Sequence, residues 1–311
     1  APLSVPIDGA LTTREIYGLQ YRFSLVEGSA MTVSTAAPLV DRASEEGWAV
    51  AQLNTNGATY GLTRAIVETA EEEKAPVILG AYAANADYRG LPYCGQHMRF
   101  MGDTADVPIA VHLDHGKSVD VCLEALEAGF TSVMYDGSRL PIEDNIRQTE
   151  RVARKAATSG ASMEAEVGQL MDDPDADGAN LSDPSEVRRL CAETDIDFLA
   201  VGIGTAHGFY DVEPEVDLDL LAELNEAAPV PLVLHGTTGL EDRVVRECIS
   251  RGISKVNVGT LLRTRYVEYT SDEIEANNHE GHPWRVSRGA MRKLKDDVRY
   301  LLNLTDSSGR A

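Results

Sequence analysis

The stretch PIAVHLDHGKSVDVCLEALEAGFTSVMYDG, residues 108–137, decides the fold. It opens as a β-branched apolar run, PIAVHLD, and closes on a second one, SVMYDG. Between them SVDVCLEALEAGF carries helical signals. Ser118 stands at an N-cap position, Val121, Leu123, Ala125 and Leu126 supply apolar faces, and Gly129 follows as a stop. Strand, amphipathic helix and strand in succession make a βαβ unit.

The same alternation recurs along the chain. Candidate strands are AVAQLN (49–54), PVILGAY (76–82), PIAVHLD (108–114), SVMYDG (132–137), SMEAEVG (162–168), FLAVGIG (198–204), PLVLHG (231–236) and KVNVG (255–259). Helical stretches lie between them. LSDPSEVRRLCAE offers Ser182 or Asp183 as a cap with Pro184 in the first turn, and EDRVVRECISRG ends at Gly252. Eight such units predict an α/β fold of one domain, a closed (β/α)8 TIM barrel. An open dinucleotide-binding sheet is disfavoured, because no GxGxxG follows the first strand. Residues 1–40 are expected as an N-terminal extension packing on the outside or bottom of the barrel. Residues 41–311 form the barrel domain, with residues 262–311 adding C-terminal helices. The acidic loop QLMDDPDADGANLSDP (169–184) is long enough to serve as a lid or to be a plain surface excursion.

Composition narrows the partners. Fifty acidic against 28 basic residues give a net charge of −22, a surface that repels phosphate backbones and disfavours nucleic acid. No apolar run is long enough to cross a membrane. The N-terminus has no basic segment leading into an apolar one, so it does not read as a signal peptide. Cys94, Cys122, Cys191 and Cys248 are scattered, with no CxxC pair, as for free thiols in a reducing cytoplasm.

In a barrel of this kind the C-terminal strand ends form the active face. Those ends carry Asn54 with Asn56 nearby, Asp114 and His115, Asp136, Glu166, His207, His235 and Asn257. Three histidines from three different strands, with a fourth position open, make the ligand set of a catalytic zinc site. Each is followed by a glycine (Gly116, Gly208, Gly236) that lets the chain turn and turns amides toward an anion. Neighbours on a strand face opposite ways, so Asp114 and His115 reach one site only if the strand breaks there, which Gly116 favours. Asp114 is then free to act as an acid/base beside the metal. His112, mid-strand, reads as a core histidine, while His97, His279 and His282 fall outside the strand set and read as exposed.

These motifs, VHLDHG, TSVMYDGSRLPIEDNI, SMEAEVG, AVGIGTAHG, PLVLHGTTG and KVNVGT, resemble in order those of the class II, metal-dependent fructose/tagatose-bisphosphate aldolases, over roughly residues 33–270. The resemblance implies a TIM barrel, dimeric or tetrameric, that reversibly cleaves a ketose 1,6-bisphosphate to dihydroxyacetone phosphate and an aldehyde such as glyceraldehyde 3-phosphate. It implies Zn2+ on His115, His207 and His235, a monovalent cation as a further ion, and Asp114 as the acid/base that takes the C4-hydroxyl proton. It assigns Asp136 and Glu166 to holding the site together or to an alternative metal position. It assigns substrate binding to Gly208, Gly236, Thr238, Asn257 and Thr260, and Asn54 belongs with them. A Schiff-base lysine is the other solution to this chemistry. Only Lys255 lies in an expected strand, at its entering end and far from the rim, and Lys117 belongs to a loop.

Several residues depart from the family pattern. HGTTG places Thr237 where glycine is common, Gly259 stands where Asp or Asn is usual, DGSR carries Arg139, and the second strand reads GAYAAN. The GGEED loop is missing, leaving Asp172, Asp173, Asp175 and Asp177 as stand-ins for a second acid/base. An aldolase or lyase of the same scaffold acting on another phosphorylated sugar or sugar acid is therefore the alternative. A barrel kept only for binding is a third reading, opposed by Asp114 standing with all three histidines.

Overall fold

The computed structural model describes residues 33–169, 181–210, 214–276 and 282–311, apart from the side chains of 85–87. The expected N-terminal extension thus lies outside the described residues up to position 32, as do His279 and the four aspartates of the 169–184 loop.

Eight parallel strands close a barrel: β2 (Val50–Asn54), β3 (Val77–Tyr82), β4 (Ile109–Gly116), β5 (Ser132–Tyr135), β6 (Ser162–Val167), β7 (Phe198–Val201), β8 (Leu232–Leu234) and β9 (Ile253–Val258). Each pairs with the next, and β2 pairs with β9 to complete the ring. Before them the short β1 (Val33–Ser34) lies beside the start of β4. The connecting helices include α2 (Tyr60–Glu73), α5 (Val119–Glu127), α6 (Ile142–Ser159), α7 (Pro184–Glu193), α8 (Leu218–Ala227) and α9 (Asp242–Ser250). Two more, α3 (Ala83–Arg89) and α4 (Leu91–Asp103), follow β3, and α10 (Thr260–Ala276) and α11 (Pro283–Leu304) follow β9. Ser118 caps α5 by accepting from Val121 N, and Asp183, rather than Ser182, caps α7.

Alternation along the strands sorts the side chains. Outward residues such as Leu53, Leu79, Val111, Val133, Leu199 and Leu234 lie in the large core under the helices. Inward residues form a second, smaller core at the entering end, where Val50, Ile78, Ala110, Met134, Phe198 and Val233 meet α1 (Ala37–Glu46) through Leu39, Val40 and Ala43, together with Trp48. Residues 37–46 thus plug the bottom of the barrel. Moving up each strand, the inward face turns polar: Val50, Gln52, Asn54 on β2; Ala110, His112, Asp114 on β4; Ser162, Glu164, Glu166 on β6. The polar mouth therefore follows from period-2 alternation in which successive inward positions change chemistry.

Strand ends differ from expectation at both ends of the barrel. Asp136, Ile203 and His235 lie beyond their strands, because the chain leaves the sheet where those residues turn to other partners. Strand β9 begins at Ile253, directly after Gly252, which takes φ +115 to enter it.

Candidate active site

The turn at the end of β4 builds the site. His115 itself adopts φ +52, a left-handed conformation costing about 1–3 kcal/mol in a non-glycine residue. The β4–β5 register shifts between Leu113 and Gly116 at the same place. That irregularity turns Asp114 and His115 into one mouth. Gly116 was expected to supply the break, but its role is different: a side chain there would run into Cys122 Sγ and the Met134 carbonyl.

The three histidines converge. The His115 ring lies 4.9 Å from that of His207 and 4.8 Å from that of His235. One nitrogen of each lies within 4.8 Å of the others, a set able to hold a metal ion. Carboxylates hold the outer nitrogens. His115 Nδ1 is 3.0 Å from Asp136 Oδ2, and His235 Nε2 is 3.0 Å from Glu164 Oε1. If both carboxylates accept, His115 Nε2 and His235 Nδ1 are left as lone pairs facing each other at 3.0 Å. Such a contact is repulsive unless a cation or proton lies between them. Burial alone would depress the His115 imidazolium, but Asp114, Asp136 and Glu166 push it up to about 9. The residues therefore fit a divalent cation, with the carboxylate–histidine–metal pattern that fixes tautomer and ring tilt.

Asp136 is fully engaged. It also accepts from Lys117 Nζ at 2.6 Å and from Ser138 Oγ at 2.6 Å. Burial opposes its charge, yet His115, Lys117 and Ser138 hold its carboxyl far below the usual range. Glu166 Oε2 is 3.6 Å from His115 Nδ1, and His115, Asp136 and Glu166 form a second set able to hold a metal.

Asp114 is 4 % exposed. Its Oδ2 accepts from Asn54 Nδ2 at 2.7 Å and its Oδ1 from Asn257 Nδ2 at 3.2 Å. Burial would raise this carboxyl, but His115, His235 and the Asn54 amide hold it well below the carboxylate range. It is an ionised base outside the histidine set. Gly80 makes room for Asn54, whose side chain fills the space a Cβ would take.

A cavity of about 350 Å³ opens above these groups. Its walls include every substrate-binding residue expected from sequence: Asn54, Gly208, Gly236, Thr238, Asn257 and Thr260. Two other wall residues, and Glu164 bonded to His235, have no role assigned from sequence. Tyr82, from the end of β3, sets its ring edge-on to His115 at 5.9 Å. Arg263 lies in the first turn of α10 and lines the cavity, with no ion pair or side-chain hydrogen bond among the described residues. Glu164 stands two residues from Glu166 on β6, the spacing that puts both on the inner face.

Two histidines and one lysine complete the picture. His112 is buried, bonds Ser132 Oγ through Nδ1 at 2.7 Å, and is kept neutral by burial and Lys255, down to about 3. His97, expected as exposed, is half-buried and stacked on Tyr93 at 5.7 Å. Lys255 was expected far from the rim, but its Nζ is 2.7 Å from both Glu164 Oε2 and Asn257 Oδ1. Its long stem climbs inside the barrel, so the position of its Cα along β9 misjudges where the charge lies.

Similarity to known proteins agrees with this geometry. The family described as fructose-bisphosphate aldolase class-II matches residues 34–310. The chain is 35% identical over 288 residues to a 6-phospho-5-dehydro-2-deoxy-D-gluconate aldolase of Bacillus velezensis, covering 90% of this chain and 98% of that protein. It is 37% identical over 285 residues to a fructose-bisphosphate aldolase of Staphylococcus aureus, covering 90% and 99%. Among solved structures it superposes on the YdjI aldolase of Escherichia coli K12 with TM-score 0.79 at 27% identity, covering 90% and 99%. It superposes on a putative fructose-1,6-bisphosphate aldolase of Coccidioides immitis with TM-score 0.81 at 25% identity, covering 89% and 98%. A barrel with this histidine cluster, matched along nearly its whole described length, belongs to the class II fructose-bisphosphate aldolases and is a lyase of that family.

Proposed function

We propose that the protein is a zinc-dependent ketose-bisphosphate aldolase, cleaving fructose 1,6-bisphosphate or tagatose 1,6-bisphosphate reversibly to dihydroxyacetone phosphate and glyceraldehyde 3-phosphate. The observation that carries this is Asp114, an ionised carboxylate held by two amides at the edge of a three-histidine cluster but outside it. His115, His207 and His235 would hold the ion. A divalent cation there supplies Lewis-acid polarisation of the substrate's C2 carbonyl, lowering the cost of the negative charge left when C3–C4 breaks.

The chain's own groups do the rest. Asp114 takes the proton from the C4 hydroxyl during cleavage and returns it in condensation. Asn54 and Asn257 hold its two oxygens, so the base points into the cavity in one orientation. The donor phosphate meets Gly208, Gly236, Thr238 and Thr260 at the N-terminus of α10, whose dipole favours an anion. Arg263 adds the guanidinium on that wall, notable in so acidic a chain.

A phosphorylated sugar acid is the second reading. It is favoured by the deoxygluconate-phosphate relative and by a cavity wall that carries Tyr82, Thr237 and Gly259 in place of the usual family residues. We also read the chain as a cytoplasmic homodimer or homotetramer, which light scattering of the purified protein checks for size.

Retro-aldol assays on fructose 1,6-bisphosphate, tagatose 1,6-bisphosphate and 6-phospho-5-dehydro-2-deoxy-D-gluconate separate the readings. Turnover of a ketose bisphosphate with the highest kcat/KM supports the first. Preference for the sugar acid replaces it with the second.

A further inference from the structure

Of the six lysines, only Lys255 is fully buried, and the cleavage chemistry gives it no task. A buried ammonium is costly unless paired and hydrogen-bonded. Lys255 is both, and its partners lead to the site along two branches. Its Nζ donates to Glu164 Oε2 at 2.7 Å, and Glu164 Oε1 lies 3.0 Å from His235 Nε2. Its Nζ also donates to Asn257 Oδ1 at 2.7 Å, and Asn257 Nδ2 donates to Asp114 Oδ1 at 3.2 Å. The Phe198 ring, 5.7 Å from Nζ, closes the space below.

An ammonium only donates, so Asn257 must give it the amide oxygen and is left with NH2 facing Asp114. The reversed amide would aim its oxygen at a carboxylate. In the same way Lys255 Nζ donates to Glu164 Oε2 and leaves Oε1 on the His235 side. With Oε2 taken by the ammonium, Glu164 Oε1 accepts from His235 Nε2, which turns Nδ1 toward the histidine cluster.

We propose that Lys255 is a positioning residue with two outputs: through Glu164 it fixes the tautomer and tilt of His235, and through Asn257 it fixes the amide that aims Asp114. This rests on the aldolase reading for its second output and on the histidine metal set for its first. Attack by Lys255 on substrate is not part of it, because the amine is enclosed beneath Asn257 and bonded to it.

The competing explanation is that Lys255 merely balances the charge of Glu164. Variants Lys255→Met, Glu164→Gln and the neutral pair K255M/E164Q distinguish them, read by melting temperature, zinc affinity in competition with a chromophoric chelator, and kcat and KM. Where K255M alone fails to fold, the neutral pair carries the test, since it leaves no buried charge unpaired. Positioning predicts that the folded variant loses about 10–100-fold in zinc affinity and in kcat, the range for partners that orient metal ligands, with KM within about threefold. Recovery of both zinc affinity and kcat in K255M/E164Q would reduce Lys255 to charge balance and overturn the proposal. A parallel fall in kcat with a large rise in KM would do the same, by showing a general loss of the cavity. If wild-type protein cleaves no ketose phosphate, the aldolase reading fails, while zinc affinity still decides the role of Lys255 toward His235.

Discussion

Asp114→Asn perturbs the chemistry while leaving the shape almost unchanged. Asp114 accepts amide hydrogens on both oxygens, from Asn54 at 2.7 Å and Asn257 at 3.2 Å. Neither donor can turn over freely. The Asn54 oxygen accepts from Gln52 Nε2 at 3.3 Å, and the Asn257 oxygen accepts from Lys255 at 2.7 Å. An amide at position 114 therefore sets its NH2 against one of two fixed donors. A buried donor left unpaired costs about 1–3 kcal/mol. Catalysis loses its general base, worth about 10²–10⁴-fold in kcat. Zinc binding should survive, since Asp114 lies outside the three-histidine set. The assays are urea denaturation, metal analysis of the purified variant, and steady-state cleavage followed by coupled reduction of the triose phosphate. A kcat within tenfold of wild type would remove Asp114 from proton transfer. Loss of the metal together with activity would make it a ligand instead.

Three further outcomes follow from particular residues. In metal-free protein His115 is raised from its ordinary value of 6.5 to about 9. Its contribution to stability is complete below about pH 6.5 and lost as pH rises through about 9, so the melting temperature of chelated protein should fall across that window. A flat profile there contradicts the charge surround assigned to His115. Arg263→Gln should lower kcat/KM about 10–100-fold and weaken competitive inhibition by inorganic phosphate similarly, the worth of one charge-assisted hydrogen bond. An unchanged inhibition constant removes Arg263 from anion binding. Trp48→Ala, in the plug at the opposite end of the barrel, should cost about 3–5 kcal/mol by denaturant titration with kcat of the folded enzyme unchanged.

The barrel was legible because its strands are short β-branched runs separated by amphipathic stretches, and parallel pairing of such units leaves little choice of fold. The three histidines and Asp114 were legible because each lies at or just beyond a strand end, next to a glycine or a turn. Less was visible where the third dimension decides. The left-handed His115 cannot be read from LDHG, where the glycine looks like the flexible residue. Glu164 carried a signal, two acids at period 2 on β6, but its partner His235 comes from another strand 71 residues away. Lys255 was misplaced because a four-carbon stem spans about two residues of strand rise, so depth counted along β9 does not locate its charge. Arg263 and Tyr82 belong to the wall only once α10 and β3 are set around the barrel mouth.

Zinc titration of chelator-stripped protein, with ketose-bisphosphate cleavage followed at each addition, tests the proposed metal-dependent reaction most directly. His115, His207 and His235 acting as one site predict no turnover in the stripped protein and a linear rise that breaks at one equivalent of zinc per chain. His207→Ala should show no such rise. Full activity in the stripped protein, or turnover in His207→Ala equal to wild type, would contradict the metal-dependent aldol cleavage proposed for this barrel.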